Sequence, residues 1–211
     1  MAPHKMWIGG KWVDAESGKT YPVFNPATQE KIAQVPLGDK SDVEKAVAAA
    51  RKAFPIWSKK SQTERSQIGV KIAALLRESF EQFAEIDTLE HGTPTKMAQF
   101  LAADIPGWFD WAAYNARSMM GHTIPVSSET VVYMQREPVG VVAIITPWNL
   151  PVLMILQKLA PAVILGNTCV IKPPSINSLM GLKLGEILEK VNLPRELLIL
   201  LRVQVESWVK L

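Results

Sequence analysis

The feature that most constrains the fold is a regular alternation of apolar runs that begins at Val139. The run "VGVVAIIT" is continuously apolar up to its last residue, which is typical of a strand buried on both faces of a parallel sheet. The next run, "LPVLMILQKLAPAVILGN", has the length of a helix and a stop signal in its closing Gly-Asn pair. Further on, "TCVIKPP", "SLMGLKLGEILEKVN" and "LLILL" predict a second buried strand, a second helix and a third strand. This β-α-β-α-β order predicts an α/β fold built on one half of a doubly wound, Rossmann-like parallel sheet. A half-sheet of three parallel strands leaves an edge exposed, and we expect "LLILL" to lie on or next to it.

Polar side chains follow the first two predicted strands at the point where each strand ends. The first strand leads into "TPWN" and the second into "KPPS". In open parallel sheets the carboxyl ends of the strands face one crevice, and ligands bind there. Asn149 could donate its amide to an oxygen that gains negative charge, or it could cap the following helix, and local sequence favours the cap. Lys172 could donate to a ribose or a phosphate, or it could be a solvated strand-end lysine, and spacing favours neither.

The N-terminal residues 1–121 show turn and helix-start signals. Glycine and serine turn signals in "MWIGGKWVDAESGKTYPVFNP" predict short hairpins. Ser41 with Glu44, and Ser61 with Glu64, have the spacing of capping boxes and predict the starts of two helices.

The second of these helices is expected to run without a break to Gly92, and Pro106-Gly107 predicts a bend in a third helix. The segment 122–138 has a partial alternation around a serine-rich turn and is predicted to form an exposed β-ribbon. Such ribbons often pair with the edge of a neighbour, so we interpret this one as an oligomerisation arm.

Composition excludes several classes of protein. The chain has 211 residues, of which 48% are hydrophobic and 20% charged, and its net charge is +3 without a basic run, so nucleic acid is not an expected partner. No apolar stretch reaches the roughly 18–20 residues of a membrane span, and the N-terminus lacks a signal-peptide core. The single cysteine, Cys169, and three scattered histidines predict neither a disulfide nor a metal site. We therefore expect a cytoplasmic protein with no membrane partner.

The segments "ITPWNLP" and "KLAPAVILGNTCVIKPPS" closely resemble the aldehyde dehydrogenase superfamily. The N-terminal stretch "IGGKWVDAESGKTYPVFNPATQEKIAQVPLGDKSDVEKAVAAARKAF" is similar to the opening hairpins and first helix of that family. The resemblance runs in the same order along the chain from residue 7 to residue 194. It implies the N-terminal part of the aldehyde dehydrogenase fold.

The resemblance also implies a reaction, the NAD(P)-dependent oxidation of a small aldehyde to a carboxylic acid by a homo-oligomeric enzyme. In this reaction a cysteine thiolate attacks the aldehyde, hydride passes to the nicotinamide, and a glutamate activates the water that hydrolyses the thioester. By resemblance, Asn149 is the oxyanion donor and Lys172 binds the adenosine ribose. Residues that line the cofactor are, by the same resemblance, Ile145, Thr146, Pro147 and Trp148.

One departure from the family concerns the choice of cofactor. Many relatives read Lys-Pro-Ser-Glu where this chain has Lys172-Pro173-Pro174-Ser175. The glutamate of those relatives holds the ribose diol and repels a 2′-phosphate. Because Ser175 removes that charge, we expect NADP to bind at least as well as NAD.

A second departure concerns the nucleophile. The family's cysteine nucleophile and glutamate base lie downstream of the segment that resembles this chain, and Cys169 falls inside the second predicted strand, where we expect a buried structural thiol. We therefore expect a truncated aldehyde dehydrogenase-like protein without activity of its own. Two alternatives stay open, namely a non-enzymatic subunit that docks on full-length relatives through the ribbon and a bare nucleotide-binding module.

The tail from Arg195 to Leu211 does not resemble the family, whose members usually continue after Leu-Pro like "PGTVNIVTG". Codons chosen for the observed tail, read again after one added C, encode "PGTVNIVTGPGGELGEA". This match predicts a single-base deletion near the codon for Pro194, in a pseudogene or through a sequencing error. The predicted organisation is N-terminal hairpins and helices (1–121), the ribbon (122–138), the first half of the cofactor sheet (139–201) and an aberrant tail (195–211).

Overall fold

The computed structural model describes residues 4–191, residue 193 and the backbone of residues 198–200. Within this part the helices are α1 (Lys40–Trp57), α2 (Gln62–Glu78), α3 (Phe80–His91), α4 (Thr95–Asp104), α5 (Gly107–Asn115), α6 (Pro151–Ile164) and α7 (Leu179–Glu189). The strands are β1 (Met6–Ile8), β2 (Lys11–Val13), β3 (Thr20–Phe24), β4 (Lys31–Pro36), β5 (His122–Pro125), β6 (Val131–Met134), β7 (Val141–Ile145), β8 (Thr168–Lys172) and β9 (Leu198–Leu200).

The central sheet has the strand order β2-β1-β9-β8-β7. Strands β7, β8 and β9 are parallel to one another, and the N-terminal hairpin of β1 and β2 extends the sheet by antiparallel pairing of β1 with β9. The predicted β-α-β-α-β unit is therefore present, and β9 confirms the third predicted strand.

The exposed edge of this sheet is not where the sequence placed it. We expected "LLILL" to lie on or next to an open edge, but β9 lies inside the sheet, between β8 and β1. In the described part of the chain the sheet ends at β2 on one side and at β7 on the other. Of the five residues of β7 only Ile144 is buried, whereas all five residues of β8 are buried. Burial on both faces, predicted for both strands, is correct for β8 and wrong for β7 because β7 has a neighbour on one side only.

Helices cover both faces of the sheet. Along β8 the side chains alternate, so that Cys169 and Ile171 face the large core formed with α2, α5, α6 and α7, while Val170 faces a smaller core with α1. Residues Val43, Ala46 and Ala50 of α1 form half of that smaller core. The small side chains of α1 let this helix pack closely on the sheet, which is the arrangement expected of an α/β layer fold.

The helix starts are partly as predicted. The capping box of Ser61 and Glu64 is present, and hydrogen bonds from the Ser61 backbone and hydroxyl lower the pKa of Glu64 to about 2. The box predicted for Ser41 and Glu44 is wrong, because α1 is capped by Asp39, whose side chain accepts from the Ser41 backbone. Asp42 completes the box by accepting from the Asp39 backbone at 2.9 Å, so a carboxylate two positions earlier replaces the serine.

Two predicted helices are divided in the structure. The long helix up to Gly92 is broken at Ser79, whose φ of −110° and ψ of 5° separate α2 from α3. Pro106-Gly107 separates α4 from α5, as predicted. The ribbon is an antiparallel hairpin of β5 and β6 whose residues are all exposed.

Candidate functional site

The site begins where β7 and β8 end. Their parallel register pairs Ile145 with Lys172, and the backbone N–H of Thr146 extends the ladder by donating to the Lys172 carbonyl at 3.3 Å. The two loops that follow, residues 146–150 and residues 173–178, therefore leave the same edge of the sheet side by side. We call them the first loop and the second loop.

Asn149 lies on the first loop, and its side chain is exposed. The N-cap of α6 is Leu150, which makes no side-chain capping bond, and Pro151 opens the helix. The local-sequence interpretation of Asn149 as a helix cap is therefore wrong. Within the described residues its amide makes no hydrogen bond and is available to a ligand.

The other residues predicted to line the cofactor at the end of β7 and on the first loop differ in burial. Ile145 is 50% exposed, Trp148 is 58% exposed, and Pro147 is also exposed. Thr146 is buried, and in the described part of the chain its Oγ1 has no hydrogen-bond partner. An unsatisfied buried hydroxyl costs about 1–3 kcal/mol, so this atom is a natural contact for a polar ligand group.

Lys172 is not a solvated strand-end lysine, because only 3% of its surface is exposed. Its Nζ donates to the carbonyl oxygen of Pro173 at 2.9 Å, which turns the ammonium group back onto the second loop. Ser175, on the same loop, is half-buried. Lys172 thus ends β8 and Ser175 lies on the second loop, where the sequence placed them. A ligand of Lys172 would compete with the Pro173 carbonyl.

Two residues that hold the first loop were missed by sequence reasoning. The Nδ2 of Asn177 donates to the Trp148 carbonyl at 2.7 Å and so joins the second loop to the first. The ring of His91 meets the Trp148 ring edge-on, at a centroid distance of 6.3 Å. His91 ends α3 next to Gly92, and no local signal relates it to a residue so far along the chain.

Glu90 is a third residue that the sequence did not single out. Its carboxylate is buried and accepts from the Leu179 backbone N–H at 2.8 and 2.9 Å, and from Met180 at 3.4 Å. It therefore caps the N-terminus of α7 from the end of α3. Burial raises the pKa of Glu90 to about 8, although the backbone N–H groups of α7 oppose this rise.

Cys169 is fully buried in β8, and this burial raises the pKa of its thiol. It is therefore the structural thiol that its place in the strand predicted, and no thiolate forms there near neutral pH. None of the described helices combines the length and the apolar composition needed to cross a membrane. Among the described residues, no group of three or more His, Cys, Asp or Glu side chains could hold a metal ion.

Known proteins are similar to this chain in sequence and in fold. It is 37% identical over 192 residues to a hydroxyisobutyraldehyde dehydrogenase of Mycolicibacterium austroafricanum, and the match covers 91% of this chain and 38% of the relative. Betaine aldehyde dehydrogenase of Staphylococcus aureus, in complex with NAD+, superposes with a TM-score of 0.93 at 33% identity, over 97% of this chain and 42% of that one. An NADP-dependent enzyme of E. coli superposes with a TM-score of 0.94 at 30% identity, over 97% and 43% respectively.

The chain thus spans about two fifths of the length of these relatives. The family model described as "Aldehyde dehydrogenase family" matches residues 12–208, a range that includes most of the tail from Arg195. Only the backbone of residues 198–200 is described within that tail, and the predicted base deletion stays a prediction. The family match and the shared fold lead to one identification: this chain belongs to the aldehyde dehydrogenase family.

Proposed function

We propose that this chain supplies the nicotinamide dinucleotide site and the oxyanion donor of an NAD(P)-dependent aldehyde dehydrogenase. The observation that carries the proposal is the pair of adjacent strand-end loops, one bearing an exposed Asn149 that caps no helix. Ligands of open parallel sheets bind at this edge. The substrate class is a small aldehyde, which bound NAD(P) would oxidise by accepting hydride.

The residues present fit a dinucleotide. Ile145, Pro147 and Trp148 offer apolar surface to flat rings, and the Thr146 hydroxyl has no partner in the described structure. Lys172 would donate to the adenosine ribose in place of the Pro173 carbonyl, which it now contacts at 2.9 Å. The exchange replaces one hydrogen bond of the ammonium group by another, so it leaves no buried charge without a partner.

Asn149 would act on the reacting aldehyde. Its amide would donate to the aldehyde oxygen, whose negative charge grows as a nucleophile attacks the carbonyl carbon. A donor of this kind acts in the transition state more than in the ground state, so it raises turnover more than affinity. Loss of one such donor typically slows a reaction by about a hundred- to a thousand-fold.

Ser175 would set the choice of cofactor. A glutamate at this position would place a negative charge next to the 2′-phosphate of NADP, and serine does not. The proposal is therefore that NADP binds at least as well as NAD.

Residues 1–211 are proposed to be inactive towards aldehydes on their own. The family reaction needs a cysteine thiolate, and the single cysteine of this sequence, Cys169, is buried with a raised thiol pKa. A second candidate function is that of a non-enzymatic subunit that associates with full-length relatives or with itself. The exposed ribbon favours it, because Val131, Tyr133 and Met134 leave half or more of their surfaces uncovered.

Isothermal titration calorimetry of the chain with NADP+ and NAD+ tests the proposal. We expect saturable binding of one dinucleotide per chain, weakened at least tenfold by Lys172→Met, which keeps the buried stem but removes the charge. Lys158→Met removes the same charge from the exposed face of α6 and should leave binding unchanged. A folded chain that binds neither dinucleotide at millimolar concentration would refute the proposal.

A further inference from the structure

The backbone of the first loop has few supports of its own. Pro147 has no N–H to donate, and Leu150 caps α6 without a side-chain bond. The ladder bond from Thr146 to Lys172 is long, at 3.3 Å. The position of Asn149 therefore depends on what holds the peptide group immediately before it.

That peptide group is held by Asn177. Its Nδ2 donates to the Trp148 carbonyl at 2.7 Å, and the side chain is only 1% exposed. A buried side chain has little rotational freedom, so the hydrogen bond fixes both the distance and the direction of the Trp148 carbonyl. This carbonyl belongs to the peptide group between Trp148 and Asn149. Its orientation therefore sets the position from which the Asn149 side chain leaves the backbone.

The ring of Trp148 has a separate contact with α3. His91 meets it edge-on, and the His91 Nδ1 lies 3.1 Å from the Thr93 hydroxyl and 3.3 Å from an Asp87 carboxylate oxygen. The histidine is thereby fixed at the end of α3. Trp148 is thus held at its backbone by the second loop and at its ring by α3, although its outer surface is 58% exposed.

We infer that Asn177 is a positioning residue, which fixes the first loop so that Asn149 and the cofactor-lining residues keep one geometry. The effect of Asn177 on cofactor binding rests on the proposed function, whereas the hydrogen bond by which Asn177 holds the first loop does not. The Oδ1 of Asn177 has no partner among the described residues, so the donor side of the amide carries the contact. Losing the donor should release the Trp148 peptide while the cores under α6 and α7 stay packed.

The test is 19F NMR of the full chain labelled with 5-fluorotryptophan. The chain has seven tryptophans, and the Trp148 resonance is assigned by its loss in Trp148→Phe. In Asn177→Ala we expect this resonance to shift or broaden while the others keep their positions. The control is Ser178→Ala, the next residue, because its hydroxyl is equally buried and has no partner in the described structure, and it should leave the Trp148 resonance unchanged.

Calorimetry with NADP+ separates this inference from the proposed function. If wild-type chain binds NADP+, Asn177→Ala should weaken binding about tenfold, which is the effect of losing one well-formed hydrogen bond. If wild-type chain does not bind, the proposed function fails, and the 19F spectrum still decides whether Asn177 holds the loop. An unchanged Trp148 resonance in Asn177→Ala overturns the inference.

If Asn177→Ala does not fold, the test uses Asn177→Leu, whose side chain is of similar size and has no hydrogen-bond donor. The expected result is the same displacement of the Trp148 resonance. Unfolding of both variants, with a folded Ser178→Ala, would show a general structural role and overturn the positioning role.

Discussion

Asn149 shows how a single side chain can be understood only when its neighbours are known. The dipeptide Asn-Leu before Pro151 is compatible with a capping asparagine, but α6 begins one residue later and leaves the amide exposed. A residue that stabilises no part of the fold and stands at the edge of a parallel sheet is a candidate for contact with a ligand.

This geometry predicts a small effect of Asn149 on stability. Asn149→Ala should change the free energy of unfolding by less than about 0.5 kcal/mol, because no described hydrogen bond is lost. Ser61→Ala is the matched comparison, since Ser61 caps α2 and its loss should cost about 1 kcal/mol. Urea denaturation measures both. A loss for Asn149→Ala as large as that for Ser61→Ala would make Asn149 a structural residue.

The residue at position 175 is predicted to set the relative affinity for NADP+ and NAD+. Ser175→Glu should raise the dissociation constant for NADP+ relative to that for NAD+ by about tenfold or more, because a carboxylate would face the 2′-phosphate. The control is Ser175→Gln, because glutamine has nearly the same size as glutamate but no charge. It should change the ratio of the two dissociation constants much less. Titration calorimetry with both cofactors gives the ratio, and an equal effect of Glu and Gln would show that size, not charge, decides.

The residue types at the two strand ends could be predicted from the sequence, but their partners could not. Lys172 was placed at the end of β8 correctly, yet its nearly complete burial depends on how the second loop folds back over it. Asn177 and His91 were missed because both act on Trp148 through contacts between distant segments. Local sequence contains no signal for such contacts.

At the scale of elements, α7 depends on a residue of α3. The N-terminal N–H groups of α7 donate to the Glu90 carboxylate, whose pKa burial raises from 4.5 to about 8. Because the folded state binds a proton more tightly than the unfolded state, this group favours folding most at low pH. Its contribution falls as the pH rises from 4.5 towards about 8 and is constant above that.

Glu90→Gln should remove this pH dependence. The difference in the free energy of unfolding between wild type and Glu90→Gln should fall between pH 5 and pH 8 and level off above it, as the raised pKa requires. Urea denaturation across this range provides the measurement, and a difference that does not vary with pH would contradict the assigned pKa.

The sequence patterns predicted whether a segment is a helix or a strand better than they predicted its burial and its first residue. Strands β7 and β8 have the same apolar pattern and the same predicted burial, but only β8 lies between two strands. Helix α1 begins at Lys40 and not after Ser41, because Asp39 and Asp42 form a capping box that competes with the one expected. Periodicity defines an element, whereas its exact start and its burial depend on the surrounding structure.

The open edge of β7 predicts self-association of the chain. Val141–Ile145 is an apolar strand with unpaired backbone groups along its outer side in the described structure. Such edges pair with other chains, and a lysine on the edge opposes pairing. Ala143→Lys should therefore lower the mass-average size measured by light scattering at high protein concentration.

Ser128→Lys is the control, because it adds the same charge at the exposed turn of the ribbon. If both variants lower the mass-average size to the same extent, net charge and not the β7 edge governs association. If only Ser128→Lys dissociates, the ribbon is the contact.

At the scale of the whole molecule, the sequence predicted the parallel unit but not the sheet that contains it. The pairing of Trp7 with Leu200 joins two ends of the chain, and no periodicity within either segment predicts that contact. The resulting sheet supports the proposed site, because β8 is hydrogen-bonded to β7 on one side and to β9 on the other. The rigidity of this support is what allows two short loops to keep a defined geometry.

The measurement that tests the central claim most directly is hydrogen–deuterium exchange of the chain with and without NADP+. We predict slower exchange in two separate segments, residues 145–150 and residues 172–178, because both loops contact one dinucleotide. The ribbon at 122–138 should exchange at the same rate in both conditions and serves as the internal control. Protection of only one loop, or protection elsewhere with neither loop affected, would contradict the claim that the two strand-end loops form a single cofactor site.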